Sequence, residues 1–151
     1  MKKITLVALL CASSQLSLAA PSINDMQSCQ GLLDFIDQKL NTTAQYPASD
    51  ISNVRKGLKS YNQYIQSTIV SPGLLQYSGG DSAKADALQQ QVNAYKQTLV
   101  DGFNARYPQQ RLFTDQAVAV SNCAKKAVPS GQALEDLKLA LNTMVTLAKM
   151  Q

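Results

Sequence analysis

Apolar residues recur at intervals of three and four through most of this chain, and nowhere do they alternate one by one. That spacing puts them on one face of an α-helix and leaves no convincing strand. Met26, Cys29, Leu33, Ile36 and Leu40 form the first stripe. Ser22 and Asp25 precede it in the S-x-x-D form of a capping box, and Asn41-Thr42-Thr43 ends it. The second stripe is Ile51, Val54, Leu58, Tyr61, Ile65 and Ile69, starting at Ser49 or Asp50 after Pro47. Gly57 within it weakens the helix by about 1 kcal/mol relative to alanine and marks a close helix contact. This helix is expected to stop before Pro72, because Ser71-Pro72-Gly73 continues a helix poorly.

A third helix starts at Asp81 or Ser82, with Ala85, Leu88, Val92, Tyr95, Leu99 and Phe103 on one face, and stops at Tyr107-Pro108. A fourth, capped by Thr114 or Asp115, runs to about Val128 and contains Cys123. Pro129-Ser130-Gly131 separates it from a fifth over residues 132–150, whose face carries Leu134, Leu137, Leu141, Met144 and Ala148. The expected fold is all-α, a single-domain bundle of about five amphipathic helices.

The first residues read as an address rather than as structure. Lys2 and Lys3 precede an apolar run over residues 4–10, and Ser17-Leu18-Ala19 offers small residues at −3 and −1. Residues 1–19 are therefore expected to be a secretory signal peptide cleaved after Ala19, too short in its apolar part for the ~20 residues of a membrane span. The style of the leader is bacterial, so the destination is the periplasm or the outside. Residues 20–151 remain as the helical domain. Loss of Lys2 and Lys3 lowers the net charge from +4 to +2, too little to argue for an anionic partner. With no second long apolar run, stable membrane insertion is not expected after cleavage. Of three cysteines, Cys11 leaves with the leader. Cys29 and Cys123 then pair as one disulfide in an oxidising compartment.

The chemistry is meagre. The chain has no His and no Trp, and Glu135 is its single Glu. No imidazole base or imidazole metal site is possible. A charged fraction of 16% does not describe a nucleic-acid binder. Ser82 with Lys84, and Ser121 with Lys125, miss the S-x-x-K spacing of a Ser–Lys dyad. Asp34 and Asp37 lie at i, i+3 and in principle hold a proton or a cation, but a solvated helix face beside Lys39 is the simpler reading. Glu135-Asp136 suits the first turn of a helix. Arg55, Lys56 and Lys59, like Lys125 and Lys126, read as solvated faces. Tyr64 lies off the main stripe and could line a groove. No catalytic residue, cofactor or metal ligand is expected.

One segment stands apart. Residues 71–80 are flanked by breakers on both sides and carry Leu74, Leu75 and Tyr77. Read as a protruding loop, they are the candidate partner-binding residues, with Tyr77 as a low-entropy anchor. The competing reading folds the leucines over the bundle end. The expected function is a non-enzymatic periplasmic or secreted binding protein, an inhibitor or immunity type that occludes another protein. A periplasmic acid-stress chaperone and a carrier of a small apolar ligand are the alternatives.

Overall fold

Ser22 opens the first helix as its spacing requires. Its hydroxyl accepts the Asp25 backbone N–H at 3.1 Å and donates to the Asp25 carboxylate at 2.8 Å. The helix, α1, runs over Ile23–Thr42 and buries every residue of its predicted stripe. The computed structural model describes residues 21–150; the signal peptide read over residues 1–19 lies outside the described residues. Every regular element within them is helical: α2 (Ala48–Ile65), a π-turn (Gln66–Val70), α3 (Ser71–Tyr77), α4 (Ser82–Arg106), α5 (Thr114–Lys126) and α6 (Gly131–Lys149).

The expected stop before Pro72 does not occur. The backbone continues without a break from α2 through the π-turn into α3, one rod over residues 48–77. Proline lacks an N–H and its ring crowds the carbonyl four residues back. The π-turn widens the helix just upstream, and the Ser71 N–H reaches five residues back to Gln66 O. Residues 71–77 are therefore helix, not loop. The rod ends where Ser78-Gly79-Gly80 closes a Schellman motif: Gly79 N–H donates to Gln76 O and Gly80 N–H to Leu75 O. Both glycines have positive φ, 68° and 86°, which side chains resist and glycine does not.

Counting that rod once, five helical rods make the bundle, and a single apolar core runs through all of them. The broadest interface joins α2 to α6, and α1 packs between α2 and α4. Gly57 sits at the α2–α6 crossing as predicted: a Cβ there would lie 2.5 Å from the Ala140 Cβ and overlap the Asp136 carbonyl oxygen. Phe35, Ile36, Tyr61, Ile65, Met144 and Leu147 are fully buried between these rods. Cys29 and Cys123 are bonded, with Cα atoms 5.8 Å apart, and tie α1 to α5.

Tyrosines fasten the irregular connections. Tyr46 Oη accepts the Leu112 N–H at 2.8 Å, and Tyr61 Oη donates to Ala127 O at 3.1 Å. Tyr64, off the main stripe, packs against the core, stacks on Tyr61 and donates to Val128 O. Two further expectations are corrected. The cap of α5 is Phe113, not Thr114 or Asp115, and Gln116 Oε1 takes the Phe113 N–H. Tyr95 is 46% exposed: α4 packs chiefly on α1 and α3, so only a narrow strip of it, centred on Val92 and Val100, is covered.

Candidate functional site

Two regions of the surface carry more than scaffold. The first is the tip of the long rod. Leu74, Leu75 and Tyr77 are brought together there, but not as a loop. On a helix they point in different directions, and only part of the trio reaches solvent. Leu74 is buried and belongs to the core, packed under the rod end. Leu75 is 43% exposed and Tyr77 is 81% exposed. The Schellman turn behind Tyr77, with the Ser78 hydroxyl donating to Leu75 O at 2.9 Å, holds this tip in one backbone conformation. Three shallow concavities, of about 400, 610 and 450 Å³, meet at the Tyr77 ring. Ile23 and Leu88 supply much of their apolar wall.

The second region is a groove of about 710 Å³ between α1 and α2. Leu33, Ile51 and Leu58 line it along with charged residues from both helices. Arg55 is locked: its Nε and a terminal nitrogen donate to the two oxygens of Asp37 at 2.7 and 3.2 Å, and its other nitrogen donates to Asn41. The Asp37 hydrogen bond is the main cause that raises the Arg55 guanidinium further above its ordinary range. Lys56 reaches across to Asp136 at 2.9 Å. Asp136 also accepts from Gln132 and Ser60, and these bonds, Gln132 first, hold its carboxyl below the ordinary range.

Asp34 departs from the expected solvated face. Its side chain keeps only about a third of its surface open (35%). Burial pushes its carboxyl above the ordinary value, and neither Lys96 at 3.8 Å nor the Asn62 amide at 2.7 Å makes up the difference. Behind it runs a chain of amides: Gln30 donates to Asn62 and Gln66, and Gln66 donates to Gln89 and Ser71. The π-turn residue Gln66 thus links α1 to α4.

A raised carboxyl pKa means the charged form costs stability in the fold. That cost is fully present at neutral pH and vanishes as pH falls below the unfolded value near 3.8. Asp34→Asn is therefore expected to raise the urea midpoint at pH 7, with the gain shrinking to nothing below about pH 3. Asp25, held down by Lys126 and Ser22, and Asp136 act in the opposite sense. Their pairs support the fold above the unfolded carboxylate value and are lost as pH falls through the folded one.

Comparison with protein-family models, with curated proteins and with solved structures finds no match.

Sequence reasoning missed Lys39. It is buried against Phe35, 5.0 Å from Nζ to the ring centre, and donates to the backbone oxygens of Tyr107 and Gln109. Burial lowers its pKa, and its role is to clamp the segment after α4. Its place on the polar side of the α1 stripe hid this. Among the described residues no group of three or more His, Cys, Asp or Glu stands close enough to hold a metal ion, and no helix is long and apolar enough to cross a membrane.

Proposed function

We propose that this chain is a non-enzymatic binding protein of the bacterial periplasm or exterior, which occludes a partner protein with the rod tip formed by Leu75 and Tyr77. The observation that carries the reading is the exposure of Tyr77, 81%, on a helix end fixed by its own cap. A large apolar ring held in water by a rigid backbone loses little conformational freedom on docking, which is how aromatic anchors act at interfaces. The concavities around it give a partner's side chains places to insert between Tyr77 and its neighbours. The disulfide supports an oxidising compartment, because cytosolic thiols stay reduced.

The test is capture of partners by the oxidised, C-terminally tagged protein in its own compartment, wild type beside Leu75→Ser/Tyr77→Ser. Leu74 is left in place because it holds the core. The wild type should retain one stoichiometric protein. The double variant should bind it roughly thirtyfold or more weaker while its melting temperature stays close to that of the wild type. An unchanged affinity removes the tip from the mechanism.

A further inference from the structure

The concavity of about 400 Å³ beside Tyr77 does not stand alone. It adjoins another of about 410 Å³ that is bounded by Tyr95, and the two share Asn24 and Gln27. Together they form a trough along the seam of α1 and α4, with one exposed tyrosine in each half. The two helices run in the same direction, since Gly31 meets Leu99 and Phe35 meets Phe103. The seam closes at Gly31, where an added Cβ would lie 3.1 Å from Leu99. The trough occupies the stretch N-terminal to that crossing.

Gln27 is the unusual member. It is only 7% exposed and lines both halves of the trough. Its side-chain amide makes no hydrogen bond among the described residues, whereas Gln30, one turn on, is bonded to Asn62 and Gln66. Side-chain amides so nearly buried ordinarily have a partner. Nor is this amide sealed inside the core as Gln30 Oε1 is; it opens into the trough. Asn24 and Gln91, on the two flanking helices, likewise leave their side-chain amides unbonded among the described residues.

The rest of the lining narrows the ligand. The trough's one charged residue, Asp25, is already held by Lys126 and Ser22, so a charged ligand would give up its hydration for no partner. Each free amide offers an acceptor and two donors in one plane, which matches the C=O and N–H of a peptide group. Ile23 and Leu88 give the Tyr77 half an aliphatic wall, suited to side chains and not to the hydroxyls of a sugar. The helix backbones keep their own hydrogen bonds and cannot add a strand, so the side-chain amides must do the reading. From Ile23 to Ser28 the trough follows about 7.5 Å of helix rise, the span of two to three extended residues.

We propose that this trough holds an extended, uncharged segment of the partner protein, with Gln27 hydrogen-bonded to one of its peptide groups and its side chains against Tyr77 and Tyr95. The proposal rests on the reading of the rod tip as a partner-binding surface and adds the partner's chemistry to it.

The experiment is an NMR titration of the oxidised protein with N-acetyl-leucyl-alanyl-leucinamide, following backbone and side-chain amides. At millimolar concentration the peptide should produce saturable shifts in residues 23–28 and 88–95 and in the Gln27 side-chain amide. Methylating the peptide nitrogens one at a time should weaken binding roughly tenfold at one position. Gln27→Met conserves length and removes the amide. It should weaken the parent peptide as much, become indifferent to that methylation, and melt no lower than the wild type. Absence of saturable shifts, equal binding by every methylated peptide, or undiminished binding by Gln27→Met would each overturn the proposal. Saturation by chitotriose and not by the peptide would overturn it in favour of a sugar site. Binding lost in Gln27→Met but kept in Tyr77→Ser would uphold the trough and count against the tip; binding lost in Tyr77→Ser alone would do the reverse.

Discussion

Replacing Cys29 and Cys123 together by alanine should lower the free energy of unfolding by about 2–5 kcal/mol, much of what a domain of this size has. The bond joins residues 94 apart in sequence. In the chain-entropy model, freeing a loop of that size stabilises the unfolded ensemble by about 4–5 kcal/mol. The geography of the bond matters as much as the loop length. Helix α5 is short and packs mainly on α6 and α1, and both of its flanking connections are irregular. Apart from the disulfide and its packing on α1, its ties to the N-terminal half are the Lys126–Asp25 pair at its exposed end and, just beyond it, the Tyr61 and Tyr64 bonds to Ala127 O and Val128 O. Urea denaturation of wild type and variant measures the effect. The midpoint should fall, and the denaturant slope should rise because the unlinked chain exposes more surface. Reductant should bring the wild type to the variant's curve and leave the variant unmoved. A loss under about 1 kcal/mol would mean that the unfolded chain is already compact between these positions.

The all-α architecture was legible because each rod but one has a stripe of at least five apolar residues, and such a stripe has one good way to be buried. The disulfide was legible by parity once Cys11 is assigned to the leader. What failed was the punctuation around Pro72. Ser71-Pro72-Gly73 resembles a helix stop because proline and glycine ordinarily end an α-helix, and the alternative, widening one turn upstream, leaves no mark in the local sequence. That single misreading displaced Leu74 from the core to a supposed loop, although Leu74 lies in phase with Val70 on the buried side of the same rod. Asp34 and Lys39 failed for another reason. Both stand on the flanks of the α1 stripe, and periodicity cannot tell a flank that meets solvent from one that α4 and its following segment cover. The exposure of Tyr77 belonged to one of two readings of this segment and its rigidity to neither: Ser78-Gly79-Gly80 reads equally as flexible linker or as helix cap, and only the hydrogen bonds to Gln76 and Leu75 decide between them.

Gly57 and Gly102 should respond in opposite ways to the same substitution, and the contrast isolates packing from helix propensity. Both are helical glycines, at which alanine is worth up to about 1 kcal/mol of added helix stability. At Gly102 nothing lies within 4 Å of the added Cβ, so Gly102→Ala should show that gain nearly in full. At Gly57 the added Cβ meets Ala140 at 2.5 Å and the Asp136 backbone, its carbonyl carbon at 2.9 Å. Backbone cannot rotate aside as a long side chain can, so α6 itself must move off α2. Overpacking of this kind costs typically 1–3 kcal/mol and at times more, which exceeds the propensity gain. Gly57→Val should go further, to a loss of about 3 kcal/mol or beyond, since its second methyl must find room in the broadest helix interface of the bundle. Ala140→Gly should rescue Gly57→Ala only in part, because it removes the side-chain half of the clash and leaves the Asp136 backbone in place. The displacement also has a spectroscopic mark. Asp136 is held below its ordinary pKa partly by Lys56 and Ser60 of α2. Moving α6 away should let that carboxyl titrate closer to 3.8, which carboxyl-detected NMR of Gly57→Ala reads directly. A Gly57→Ala protein of undiminished stability with an unshifted Asp136 would show that the two helices are not in backbone contact at this crossing.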